Sequence, residues 1–521
     1  GAAGTVASRA TVAGRSWGRA VLYLFVFWSQ FKPSEPFLLD FLVDAKGFTN
    51  RRVYEEIFNL YVYARLPCAA LVGFLAETSC CGCRGVLTAG AFCGLATTVL
   101  TRWAPGLLAQ KVAQLTVAAA FASRYAVSAA AFALTVGDGS ESQEVIHTVK
   151  AVLLLSNCLS ALLGEVLRDL AHAPLSVLFD ISVVGQALSL LLALRLPAMV
   201  GAVEATAEAD LPLQPQLWVL GGCWYRLRSL LRDLWLALRL RRVMWWTIWA
   251  VAMNPAHGLA LTYWQNLLRE KHIKHNHNGY LLASMYLAAA LLTAASRRSA
   301  PLRVLTAAPL CGSLLLGGVL LCLAAQENEQ LPFYCWLGLF QSVFEVTTAV
   351  STYQAGAEVT RAVTEGASLP KADARGSLVA EPALHPQRAR LTLLFVFTGI
   401  LCSLTENVVQ AGIRIGHTSM SARFRYLGLG LLVLALLLGL LRGLSALWHR
   451  PAGSVRRRRT GHGGEDEDMR EVPTEIRARA PPEALSVSSA EVPTAPPPGG
   501  SRSATAAVPL LPEHRSCLRA A

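Results

Sequence analysis

Charge is scarce in this sequence. Asp, Glu, Lys and Arg make up 16% of its 521 residues, while hydrophobic residues make up 53%. A soluble globular domain carries about a quarter charged residues, so an ordinary soluble multidomain protein is excluded. Acidic residues are the scarcer sign, 34 against 47 basic, and the net charge is +13. No phosphate-cradling Gly-rich loop with its Lys is present, so nothing points to ATP-driven work. A nucleophile elbow, a zinc-protease helix motif and a haem-attachment motif are also missing, which leaves no enzymatic constellation. No N-x-S/T sequon occurs, so the usual mark of an extracellular loop is lacking and sidedness has to be read from basic residues.

Long apolar runs are abundant, and the mean hydropathy is +0.41. About 20 apolar residues span the hydrocarbon core of a bilayer. Runs of that length fall near 18–43, 53–76, 85–104, 107–136, 146–168, 174–196, 243–267, 279–299, 302–324, 331–357, 390–412 and 424–447. The first is too long for a signal-peptide core and no small-residue cleavage site follows it. Gly1 in place of an initiator Met suggests that the N-terminus is incomplete. The expected domain order is a cytoplasmic segment 1–16, a six-helix bundle 17–196, a basic linker 197–242, a second six-helix bundle 243–447 and a cytoplasmic tail 448–521. With both termini in the cytosol, the inside loops hold roughly 25 Lys and Arg against about a dozen outside, as the positive-inside rule requires. The fold class expected is an all-α membrane protein with twelve transmembrane helices in two six-helix bundles, the major facilitator fold.

The linker ends in YRLRSLLRDLWLALRLRR, where Arg228, Arg232, Arg239 and Arg242 interleave with Leu and Trp. That spacing suits either an amphipathic helix on an anionic leaflet, with membrane lipid as partner, or a solvated connection. The tail is rich in Pro, Ser, Ala and Glu and is expected to be disordered. Basic charge confined to loops and tail does not indicate a nucleic-acid partner. Twelve cysteines lie mostly in apolar segments, where they act as small hydrophobes. Cys80, Cys81 and Cys83 cluster on the cytosolic side, where no disulfide is expected, and no fourth zinc ligand lies nearby.

Charges inside the spans are costly and mostly face a cavity or a partner. Glu35, Glu56, Glu77, Arg124, Glu165, Glu345 and Glu406 fall in or beside them. In FKPSEPF (31–37) prolines flank Glu35, so the first helix must bend there and free carbonyls that a protein-lined cavity has to satisfy. A kink presenting Glu35 to a central cavity is favoured over a solvated helix end. Arg124 sits among small residues in AFASRYAVSAAAFAL, which let a neighbouring helix approach. It needs either an anionic ligand or an acidic partner such as Glu35. Lys150 reads as a second cavity cation or as a lysine reaching the membrane edge. Glu77 in GFLAE, with Arg84 seven residues on, resembles the acid and base of a cytoplasmic gate in major facilitators. Tyr61, Tyr63, Trp245, Trp246 and Trp264 suit ring stacking or an interfacial belt. His272, His275 and His277 read as solvated histidines of an outside loop, and neither a metal site nor a cofactor is assigned.

The stretch from Phe31 to Glu77 resembles the start of the reduced folate and thiamine transporter family, whose first helix carries R-P-[GS]-E-x-F. In that family an NFT or NLT loop follows, and the second helix begins N-E-I and ends in an acid. This chain has KPSEPF, GFT at 47–49, EEI at 55–57 and Glu77. SRYAVSAAAFAL (123–134), YWQNLL and HNGY within 263–280, and VSTYQAGAEV (350–359) resemble later helices of the family. The resemblance implies that Glu35 is a substrate-site acid and that Arg124 is the helix-four arginine of folate carriers, where thiamine transporters have a glutamate. It also sets Gln341 where folate carriers keep an arginine, Thr405 or Glu406 at their helix-eleven lysine, and Tyr61 at an aromatic position of thiamine transporters. The loop at 358–388 is longer than the family pattern.

The expected function is a secondary transporter, not an enzyme, that moves a water-soluble vitamin across a cell membrane, and the resemblance implies the plasma membrane. Reduced folate is favoured slightly over thiamine, and a transport-inactive, receptor-like paralogue is the further alternative. Expected substrate-site residues are Glu35, Arg124, Tyr61, Lys150, Gln341 and Glu406, with Glu77 and Arg84 as gating residues.

Overall fold

A computed structural model describes residues 2–76, 82–135, 139–196, 232, 234–273, 277–296, 307–368, 386–415 and 419–448. Before the central linker the helices are α1 (Ala2–Gln30), α2 (Asn59–Ala76), α3 (Gly82–Trp103), α4 (Leu107–Ser123), α5 (Tyr125–Ala133), α6 (Gly139–Asp169) and α7 (Leu175–Arg195). After it come α8 (Arg241–Glu270), α9 (Asn278–Ser296), α10 (Ala307–Gln326), α11 (Gln330–Ser368), α12 (Pro386–Ile415) and α13 (Met420–Trp448). Among the described residues, nine helical runs are long and apolar enough to cross a membrane. α1, α8 and α11 are not among them: α8 places Asn254, His257 and Gln265, and α11 Gln341 and Glu345, inside their apolar runs.

Large apolar side chains point outward along the spans, as in a protein solvated by lipid. On α13 Leu436, Leu437, Leu440, Leu441 and Leu444 are all exposed, and α7 exposes Val184, Leu191 and Leu194. Small residues and polar groups turn inward, including the buried Ser156, Ser160, Ser182 and Gln186. The two sets of helices meet chiefly through α6 against α9 and α2 against α12.

Two boundaries differ from the sequence expectation. The first span does not run to residue 43: α1 stops at Gln30, a 3-10 turn covers Glu35–Phe37, and a π-helical stretch covers Phe41–Ala45. Pro33 and Pro36 supply no N–H, and proline biases the residue before it away from helix, so the predicted kink is a full break. The tenth span is longer than expected, because α11 continues as helix to Ser368 through the start of the 358–388 loop. Glu77, Cys80, Cys81, His275, most of the basic linker and the tail from residue 449 lie outside the described residues.

Candidate functional site

The break after α1 is docked, and its loose backbone groups are accounted for. Gln186 Nε2 donates to Trp28 O at 3.3 Å and Ser29 O at 3.1 Å, and Ser156 Oγ donates to Phe27 O at 2.6 Å. Lys32 N donates to Ser160 Oγ at 2.7 Å, and the Ser34 and Ser182 hydroxyls meet at 2.9 Å. Gly164 and Gly185 let the segment sit this close. A Cβ at Gly164 would lie 2.5 Å from Pro33 O, and one at Gly185 would lie 2.8 Å from Phe31 O. From the second set, Gln265 Nε2 donates to Pro36 O at 3.1 Å. FKPSEPF is thus an irregular segment tolerated at membrane depth because protein groups surround it.

This docking carries Lys32 toward the ring of Phe121. Lys32 Nζ lies 5.7 Å from the ring centroid and the Arg124 guanidinium carbon 3.7 Å from it. Tyr61 meets the same ring edge-on, with centroids 5.5 Å apart. Arg124 occupies the turn between α4 and α5, where the helix interrupts itself. Among the described residues neither Arg124 nor Lys32 has a carboxylate within ion-pair distance. Glu35 is exposed and within electrostatic reach of Lys32, Arg124 and Tyr286, but it does not form the ion pair with Arg124 that was one reading of the sequence. Hydrogen-bond complementarity assigns the Gln30 amide oxygen to the Arg124 side, where it accepts from Nη2 at 3.0 Å.

Two further charges face one another across the helix sets. Arg65 Nη1 meets Glu406 Oε2 at 2.5 Å, and Arg65 Nη2 donates to Tyr125 OH at 3.1 Å. Gly258 on α8 makes room: its Cβ would lie 3.2 Å from Glu406 Oε1. Lys150 meets Glu345 at 3.3 Å. Gln341 Nε2 donates to Glu345 Oε1 at 3.1 Å, and the Gln341 oxygen faces His257 Nε2 at 2.5 Å. The His257 ring stacks on Phe344, 3.6 Å between centroids. Glu406, Lys150 and Gln341 therefore each hold a charged or polar partner from the other helices, whereas among the described residues no carboxylate pairs with Arg124 or Lys32.

Cross-set contacts close the bundle at both ends. At the end holding Asn50, Tyr263 OH donates to Asn59 Oδ1 at 3.2 Å, Gln410 Nε2 donates to the same oxygen at 2.6 Å, and Arg269 pairs with Asp40 at 3.2 Å. At the other end Phe132 stacks on Phe395 with centroids 5.9 Å apart, and a Cβ at Gly356 would lie 2.1 Å from the Phe132 ring. Arg84 donates to Leu194 O at 2.7 Å, tying α3 to α7.

Arg65 and His257 are site residues that the sequence reading missed. Arg65 had a usable signal, a lone charge in the apolar run YVYARLPC. His257 had only its place inside an apolar run, which a satisfied core histidine shares.

The reduced folate carrier family model matches residues 15–208, less than half of the chain, which bears out the resemblance read from the motifs within that stretch. A folate-like transporter of Dictyostelium discoideum is 26% identical over 262 residues, 50% of this chain and 42% of that relative, so the match spans less than half of the relative's length. Among solved structures, a POT peptide transporter bound to sulfate superimposes with a TM-score of 0.53 at 13% identity, covering 82% of this chain and 94% of that one. A POT-family transporter bound to a thioalcohol-conjugated peptide gives 0.53 at 12% identity, covering 82% and 96%. At these identities the structures speak to the fold alone, which is the all-helical, major-facilitator-like fold expected from the sequence.

Proposed function

Taking the match of residues 15–208 to the reduced folate carriers as premise, we propose that this chain is a secondary transporter for an anionic, folate-like vitamin, working by alternating access. The observation that carries the reading is the pair of cations at Phe121, which no carboxylate neutralises among the described residues. Arg124 lies 3.7 Å from that ring and Lys32 5.7 Å from it, and among the described residues neither is neutralised by a carboxylate at ion-pair distance. A half-buried guanidinium with a flat donor fork is suited to a substrate carboxylate. Phe121 and Tyr61 offer aromatic surface beside it, and Glu35 supplies an acceptor for the donor edge of a pterin. The substrate-site residues are then Arg124, Lys32, Glu35 and Tyr61.

A cationic vitamin such as thiamine is less well served. Glu406 is already bound to Arg65 and Glu345 to Lys150, which leaves Glu35 as the acid on offer. In this proposal both termini are cytoplasmic, the protein sits in the plasma membrane, and the contacts at the Asn59 and Phe132 ends open in alternation around the site. Glu77 and Arg84 keep their proposed gating role. The test is uptake of labelled 5-methyltetrahydrofolate and of labelled thiamine by cells expressing the chain. Saturable folate uptake with no thiamine uptake is expected, and thiamine accumulation alone contradicts the proposal.

A further inference from the structure

Away from the central site, a small cluster joins the two sets of helices at the end holding Asn50 and Arg269. Glu165 and Asp169 stand one turn apart on the last turns of α6, and His277 stands just before α9. Their ligand-capable atoms all lie within 4.8 Å of one another. Asp169 Oδ2 is 3.3 Å from His277 Nδ1.

Glu165 gives the second, independent sign. It is 3% exposed, and its Oε2 accepts the Gly279 N–H at 2.5 Å. Among the described residues no Lys or Arg forms an ion pair with it, and its neighbour Arg168 turns to Asp40 at 3.8 Å instead. Burial disfavours the Glu165 carboxylate, and the Gly279 amide with the more distant charges of Arg168 and His277 offsets that only in part. The His277 ring lies beside Tyr280, with centroids 5.9 Å apart, and faces Asp169 through Nδ1.

We propose that Glu165, Asp169 and His277 bind a divalent transition-metal cation, with zinc the best fit, and that the bound ion clamps α6 to the start of α9. One imidazole and two carboxylates are a zinc-type set, with bonds of about 2.0–2.2 Å and water in the fourth place. Ligand atoms in such a tetrahedron lie about 3.4 Å apart, so the imidazole has only to swing inward on its exposed loop. Because the ligands come from both sides of the central linker, the site is complete only while this end is closed. The bound ion therefore stabilises the closed end and slows its opening.

The experiment is isothermal titration calorimetry of the purified full chain in detergent with ZnCl2, compared with Asp169→Asn, His277→Ala and His277→Cys. The His277 side chain is 63% exposed and that of Asp169 33%, so the variants are expected to fold, with unfolding midpoints in chelator matching the parent. Zinc binding that weakens about tenfold or more in Asp169→Asn and His277→Ala, and is retained by the cysteine ligand of His277→Cys, is the expected result. No zinc binding by the parent, or equal binding by the parent and His277→Ala, overturns the proposal. Since the readout is binding, it stands apart from whether the chain carries folate.

Discussion

Arg65 and Glu406 meet at 2.5 Å across the two sets of helices, with the Glu406 side chain 1% exposed and that of Arg65 13% exposed. Removing one partner of such a pair leaves a buried charge uncompensated, at a cost of about 3–5 kcal/mol. Arg65→Met alone is therefore expected to lower the thermal unfolding midpoint of the purified protein sharply. Arg65→Met combined with Glu406→Leu is expected to recover most of the loss, since an apolar pair of similar volume fits the same space. A double variant no more stable than the single one contradicts this account of the pair.

Gly164 sets how closely the broken first helix can dock. A Cβ there would lie 2.5 Å from Pro33 O and 3.0 Å from the Phe37 ring, and a backbone carbonyl cannot swing aside. Gly164→Ala is expected to destabilise by about 1–3 kcal/mol and to displace Lys32 and Glu35 with the segment. Thermal unfolding and folate affinity, measured on the same preparation, are both expected to fall. An unchanged affinity would show that the segment's position does not matter to the site.

Phe121 is the platform under Lys32 and Arg124. Cation–π contacts of this kind contribute about 0.5–2 kcal/mol each. Phe121→Leu keeps most of the apolar volume and removes the ring face. The expected outcome in an uptake assay is a raised KM for folate with little change in protein abundance.

Tyr263 OH sits between Asn59 Oδ1 at 3.2 Å and Gln410 Nε2 at 2.9 Å, inside the polar closure at one end of the bundle. Tyr263→Phe removes one donor and one acceptor from that closure, worth about 1 kcal/mol each. The equilibrium is expected to shift toward opening at that end. Spin labels placed on α2 and α8 at the same end should report a longer mean distance by double electron–electron resonance, and an unaltered distribution counts against a latch.

The helical membrane fold was legible because apolar runs of bilayer length have few alternatives. The position of the candidate site was legible in part. Pro33 and Pro36 announced the break, and Arg124 stood out as a charge among small residues. What could not be read were the partners, because sequence spacing is silent on which helices face one another. Glu406 and Lys150 looked as available to substrate as Arg124, yet Arg65 and Glu345 come to them across the linker at 2.5 Å and 3.3 Å. The end of α1 at Gln30 was also hidden, since LLDFLV after the motif is apolar enough to continue a span.

The central claim is that Arg124 is the anchor for an anionic vitamin. It is tested most directly by measuring uptake of labelled 5-methyltetrahydrofolate in cells expressing the parent chain and Arg124→Glu at matched surface abundance. A charge-assisted contact of about 1.5–3 kcal/mol replaced by repulsion predicts loss of folate uptake by more than about tenfold, with the unfolding midpoint preserved. Folate uptake undiminished in Arg124→Glu contradicts the account.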